Sequence, residues 1–332
     1  MLPTPLYGIV VAQELRVSSR SPFWQVKLKT CCGEIKCMMW DAPVDVIANK
    51  NYPHKGDFIK ITSFKDQMAD KGNIVINLPI DKILKEDYKT EYSEIIGSSG
   101  MAKPEEISEA MDVLFDENLF SNKMVGKFVL ECFKQYEKSK IKSTPAATTN
   151  HHMYPGGLLI HTKEVLQTAK NICEVYEKKY PYINKDILFC SAILHDIGKI
   201  ETYYINDQDL AELHYTEKSI GHLVIGMHSV MRVFEKLTAE EQEMLGGRRF
   251  IEEVAHCIGT HHGKPEYGSI QENQSIESFI LSQADVLSAK FGMLDKTIRE
   301  LPRDMMIKEG SYIKLHSDTS YFYSLGIENS RK

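Results

Sequence analysis

No apolar run in this chain reaches the roughly eighteen residues that a membrane-spanning helix needs. The opening stretch, MLPTPLYGIVVAQELRV, lacks a basic segment followed by a long apolar one, so no secretory signal peptide is expected. Positive charge is not in excess. The net charge is −6, from 40 basic and 46 acidic residues, which excludes a protein that coats nucleic acid by bulk charge. A local basic groove is still open. Cysteine is sparse and odd in number, at seven, and Cys132, Cys173, Cys190 and Cys257 lie inside apolar runs. That pattern predicts buried, reduced thiols and a cytoplasmic location. The TCCGEIKC stretch alternates like a strand and has no second half with ligand spacing, so no zinc knuckle is expected there.

What is present divides the chain in two. Hydrophobic content of 42% and charge of 26% belong to a globular protein, and 332 residues suffice for two domains. Residues 1–85 contain five runs rich in β-branched and aromatic residues: YGIVVAQELRV, PFWQVKLKT, GEIKCMMWD, GDFIKITSF and GNIVINLPI. APVDVIANK, between the third and fourth, suits a short helix. Five strands with that insert are the layout of an OB-like barrel. Residues 86–144 read as a linker and connecting helices, with Pro104 opening the first. Residues 145–315 read as helical throughout, and 316–332 as a tail. The fold class is therefore α+β multidomain: a small N-terminal β-barrel followed by an all-α domain. No internal repeat is visible.

Histidine carries the chemistry. Ten of the twelve histidines fall within residues 151–262, a third of the chain. His161, His195, His222, His228, His256, His261 and His262 each belong to a helical run or its end. Asp196 and Asp285 are the acids in helical apolar context, and a lone buried aspartate is costly without a partner. Imidazoles and carboxylates converging from several helices are how bundles hold metal ions. That donor set suits Mn, Fe, Co, Ni or Zn rather than Ca. Asp196, next to His195, is the natural bridge between two ions, and ions about 3.5–4 Å apart make a phosphoester-hydrolysing centre. Lys199, three residues on, lies near the same helix face and suits a phosphate oxygen. His214 and His316 read as ordinary packed or surface residues. His228 and His256 are open between a supporting and a packing role.

These motifs resemble a known family. HT at a helix start, LHDIGK, GHLVIG, THHGKPEYGS and ADVLSAKFGMLD resemble, in order, the HD-domain phosphohydrolase superfamily. The resemblance implies His161, His195, Asp196 and Asp285 as core metal ligands, His222, His261 and His262 as those of two-metal members, and Lys199 as the lysine of the HDxGK variant. It makes 145–315 an HD domain. The barrel, PAATTNHHMYPGGLLIHT and HHGKPEYGS together resemble the YhaM-type bacterial 3′–5′ exoribonucleases. That implies a single-stranded nucleic acid partner, RNA favoured over DNA, and two divalent ions with Mn foremost. Catalysis would rest on Asp196 and Lys199. His151, His152 and Tyr154 would wall the terminal nucleotide.

In the barrel, strand alternation turns Trp24, Val26 and Leu28 to one face and Gln25, Lys27 and Lys29 to the other. Trp24 is thus a core candidate, and Lys27 and Lys29 are the better candidates for nucleic acid. The same aromatic residues also suit the filling of a small barrel. The alternative function is a nucleotide or cyclic-nucleotide phosphohydrolase whose β domain serves regulation or homo-oligomerisation. A binding module with a decayed site is disfavoured, because every ligand position is filled.

Overall fold

The computed structural model describes residues 2, 4–18, 21–30, 33–40, 53–70, 73–86, 102–148, 151–206, 211–300, 312–314 and 321–323. It divides into two compact units, residues 1–100 with 294–332 and residues 101–293.

The first unit is built on β1 (Leu6–Val17), β2 (Pro22–Thr30), β3 (Gly33–Met39), β4 (Phe58–Ile61), β5 (Lys65–Asp70), β6 (Asn73–Asn77) and β7 (Ile83–Glu86). They form one seven-stranded sheet in the order β5-β6-β3-β2-β1-β4-β7. β3 and β6 pair in parallel, and β1 and β4 pair antiparallel. Chain geometry forces this sheet to curl. In a flat sheet β4 and β5 would stand five strand spacings apart, roughly 24 Å. The four steps from Ile61 to Lys65 reach at most about 14 Å. The sheet therefore wraps into a half-barrel around Leu6, Val10, Trp24, Val26, Leu28, Ile35, Cys37, Ile59 and Ile76. Trp24 is buried, as alternation predicts, and Lys27 and Lys29 lie half-buried on the other face.

Two of the seven strands are not foreshadowed by hydrophobic patterning. β5, KDQMAD, is polar and completes the sheet through main-chain pairing to β6. β7 adds an edge to β4. The helix expected in APVDVIANK lies outside the described residues.

The second unit is helical. Its elements are α1 (Pro104–Leu114), α2 (Lys123–Lys134), α3 (Lys138–Ser143), α4 (Gly157–Tyr176), α5 (Lys185–Leu194) and α6 (Lys199–Thr202). A short hairpin follows, β8 (Tyr203–Ile205) and β9 (Ala211–Leu213). Then come α7 (Tyr215–Ser219), α8 (His222–Glu235), α9 (Ala239–Leu245), α10 (Gly247–Thr260) and α11 (Ile276–Glu300). In residues 294–332, which belong to the first unit, β10 (Tyr312–Lys314) pairs with β11 (Tyr321–Tyr323). The β8–β9 hairpin is a short insertion in an otherwise helical region. The run NKMVGKFVLECFKQYEKSK is two helices rather than one. Between α2 and α3, Gln135 and Tyr136 turn their side chains to Ser229.

α5 is the axis of this unit. Every residue from Ile187 to Leu194 is buried, and a helix apolar all round belongs at the centre of a bundle. Asn184 caps its start by accepting from the Ile187 N–H. It packs against α2, α4 and α10. Its C-terminal end therefore emerges inside the bundle rather than at the surface, and that end carries His195 and Asp196.

Candidate metal centre

Five parts of the chain meet at the end of α5. α4 brings His161, the α5 terminus His195 and Asp196, the first residue of α8 His222, the end of α10 His261 and His262, and α11 Asp285. His161, His195, Asp196, His222 and His261 are all buried.

The two oxygens of Asp196 face two different groups. Oδ2 lies 3.3 Å from His195 Nε2 and 3.6 Å from His161 Nε2. Asp285 Oδ1 joins that group at 3.0 Å from His161 Nε2. Oδ1 lies 3.5 Å from His222 Nε2 and 3.6 Å from His261 Nε2. Most of these separations are long for hydrogen bonds. They match the edges, about 3.0–3.6 Å, of a polyhedron whose ligands each stand about 2.1 Å from one ion. Asp196 Oδ1, His222 Nε2, His261 Nε2 and His262 Nδ1 are buried and have no hydrogen-bond partner. Unpaired buried polar atoms are costly, and four of them in one place fit the coordination of a cation.

The opposite edges of the His222 and His261 rings explain why their inward nitrogens are free, and His195 and His161 are held in the same way. His195 Nδ1 is 2.8 Å from the Ala192 carbonyl and His261 Nδ1 is 2.8 Å from that of Ile258. His222 Nδ1 is 2.8 Å from Glu217 Oε1. His161 Nδ1 is 2.9 Å from Ser288 Oγ, which donates to Glu164 at 2.6 Å. Each acceptor draws the ring proton to Nδ1 and leaves the Nε2 lone pair turned inward, the tautomer a metal ligand needs.

Electrostatics agree with this. Burial raises the Asp196 carboxyl, but Lys199, His195 and His261 outweigh it and hold the group well below the usual carboxylate range. Asp285 is also lowered, against burial, mainly by the adjacent His161, with His261 and His195 adding to it. Burial lowers His161, and burial with the neighbouring His262 and His195 pushes His261 well down. His195 moves the other way, since the Asp196 charge overcomes its burial. At neutral pH the acids are anionic and His161 and His261 are neutral.

Lys199 is buried and donates to Asp196 Oδ2 at 2.7 Å. Gly198 makes room for a neighbouring backbone. A Cβ there would stand 2.1 Å from the His222 carbonyl oxygen and 2.8 Å from the Gly226 nitrogen. The start of α8, and with it His222, is seated directly on this glycine.

His151 and His152 lie beside His161, with ring centroids at 4.9 Å and 5.5 Å, and Tyr154 is 6.0 Å from His152. His152 holds φ of 44°, a left-handed conformation that costs a non-glycine residue about 1 kcal/mol or more. The two histidines of open role resolve differently. His256 Nε2 accepts the Gln274 N–H, tying down the loop before α11, and His228 joins no described metal-binding group. His214 caps α7. His316 lies outside the described residues. Glu164, Glu217 and Ser288 went unnoticed in the sequence, although Glu164 and Ser288 follow His161 and Asp285 by one helical turn.

The HD domain family matches residues 158–290. The chain is 27% identical over 291 residues to the 3′-5′ exoribonuclease YhaM of Oceanobacillus iheyensis, an alignment covering 86% of this chain and 83% of that protein. No solved structure matches. Residues 158–290, which hold all seven cluster residues, match the HD domain family within a chain similar to that exoribonuclease over most of its length.

Proposed function

We propose that the protein is a metal-dependent 3′–5′ exonuclease that shortens single-stranded RNA, in the cytoplasm, to nucleoside monophosphates. The observation that carries this reading is the shared carboxylate. Asp196 turns one oxygen to His161 and His195, which Asp285 also approaches, and the other to His222 and His261, whose inward nitrogens have no partner. That arrangement fits two divalent ions with Asp196 between them, His262 completing the second. Mn is the first candidate for such donors, with Fe, Co and Ni behind it. Ions held there activate water and polarise a phosphoryl oxygen.

The chain's own residues supply the rest. Lys199 keeps Asp196 anionic, and an ammonium so placed carries two further N–H groups with which to meet a phosphate oxygen. His151, His152 and Tyr154, beside His161, receive the terminal nucleotide. In the β unit Lys27 stands opposite Lys36 across the β2–β3 ladder. Like charges so placed are destabilising unless an anion lies over them. A phosphate backbone over Lys27 meets that need, and Lys29, opposite Glu34 in the same ladder, stands two residues along the same face.

The test is digestion of 5′-labelled RNA and DNA of equal sequence with Mn²⁺. A ladder descending one nucleotide at a time on RNA is the expected result. Cleavage of mononucleotides or cyclic nucleotides with intact oligomers would replace the exonuclease reading by a small-molecule phosphohydrolase.

A further inference from the structure

Glu164 sits one turn beyond His161 on α4 and faces the same side. Its Oε2 accepts the Ser288 hydroxyl at 2.6 Å and lies 3.3 Å from His152 Nε2. The Ser288 proton is thus committed to the carboxylate, and the Ser288 oxygen is left to accept the His161 Nδ1–H at 2.9 Å. One carboxylate therefore orients a cluster histidine through Ser288 and holds a loop histidine directly. Three other inward rings are fixed differently: His195 and His261 by backbone carbonyls of their own helices, His222 by Glu217. Among these four anchors, Glu164 is the one that also grips the loop before α4.

That loop needs a grip. His152 holds its left-handed backbone between two glycines that leave no spare room. A Cβ on Gly157 would meet the His152 carbonyl oxygen at 2.0 Å, and one on Gly292 of α11 would meet His151 Cβ at 2.7 Å. A strained residue persists where its surroundings over-determine it, and such residues cluster at functional sites.

We propose that Glu164 is a positioning residue that couples the two sides of the site: through Ser288 it aims His161 at the metal, and directly it sets His152 against the nucleotide to be removed. The proposal rests on the metal-centre reading above. It separates two effects that a single ligand would not. Losing Ser288 disturbs His161 alone, whereas losing Glu164 disturbs His161 and His152 together.

The experiment compares wild type, Glu164→Ala, Glu164→Gln and Ser288→Ala. Mn²⁺ affinity is measured by calorimetric titration, and kcat and KM on an RNA oligomer are measured at saturating Mn²⁺. Ser288→Ala is expected to weaken Mn²⁺ binding about 10-fold or more with KM little changed. Glu164→Ala is expected to weaken it at least as much and also to raise KM about fivefold. Glu164→Gln keeps an acceptor oxygen and is expected to restore KM toward wild type even if Glu164→Ala folds poorly. Glu164→Ala with wild-type Mn²⁺ affinity and KM would overturn the proposal, as would a Ser288→Ala KM equal to that of Glu164→Ala. A wild type that binds no Mn²⁺ would instead remove the metal centre on which the proposal stands.

Discussion

Replacing Asp196 by Asn should unfold the protein more easily as well as stop hydrolysis. Lys199 and Asp196 are both almost wholly buried, with Nζ 2.7 Å from Oδ2. Asn preserves the shape but removes the charge that compensates a buried ammonium. Breaking one side of such a pair costs about 3–5 kcal/mol. For a unit of this size, roughly 2–4 °C of Tm is lost per kcal/mol, so the apo protein should melt about 6–20 °C lower. Replacing both partners, Asp196→Asn with Lys199→Met, removes the stranded charge and should recover most of that loss. Both variants should be inactive, since neither retains the shared carboxylate. The assay is calorimetric melting in chelator beside RNA digestion in Mn²⁺. If Asp196→Asn melts with wild type, Lys199 does not depend on Asp196 and the electrostatic account of the site is wrong. If either variant still shortens RNA at the wild-type rate, Asp196 is not the centre of the chemistry.

Gly198→Ala should be severe. Its Cβ, 2.1 Å from the His222 carbonyl where contacts under 3.0 Å are essentially never seen, forces the α8 start back by about 1 Å, and displacement on that scale costs on the order of a hundredfold in rate. Gly226→Ala, on the other side of the same contact, meets its nearest atom at 3.4 Å and should be tolerated, so equal behaviour of the two would refute the packing argument. Apo stability should fall as pH drops below about 6.5. His151, His161, His261 and His262 have lowered values, so the unfolded chain takes up protons that the folded one refuses. His195, which is raised, opposes this with stability that is lost as pH rises through its folded value. Melting in chelator near pH 5.5 should therefore lie below that near pH 7.5, and a higher midpoint at the lower pH would contradict the assignment. Lys27→Ala with Lys29→Ala should raise KM for RNA and reduce the salt slope of binding by about 1.4, at about 0.7 per phosphate contact. Hydrolysis of a small chromogenic phosphodiester should be unchanged, and an unaltered salt slope would remove these lysines from the RNA path.

Legibility in the sequence followed the strength of each physical signal. The bundle and its ligands were readable because the ligands are chemically rare residues at helix ends, and the apolar run DILFCSAIL marks a helix buried on all sides. β1, β2 and β3 were readable by alternation. β5 was not, because KDQMAD earns its place through backbone pairing to β6, which leaves no side-chain pattern. The break between α7 and α8 is the one Gly221 permits, at φ of 86°, inside a run that otherwise keeps helical character. The pairing of Lys199 with Asp196 was hidden for a different reason. A spacing of three places two residues on one face without saying whether the second meets its neighbour or a substrate. Glu164, Glu217 and Ser288 were missed because a carboxylate or hydroxyl on a helix is ordinary until its partner's position in space is known.

The central claim is that one carboxylate is shared by two metal-binding lobes, and electron paramagnetic resonance of the protein titrated with Mn²⁺ tests it most directly. Two ions per chain, with the six-line signal of isolated Mn²⁺ giving way to that of an exchange-coupled pair as the second equivalent binds, is the predicted result for ions about 3.5–4 Å apart. Saturation at a single ion, or two ions that keep uncoupled spectra, would contradict it.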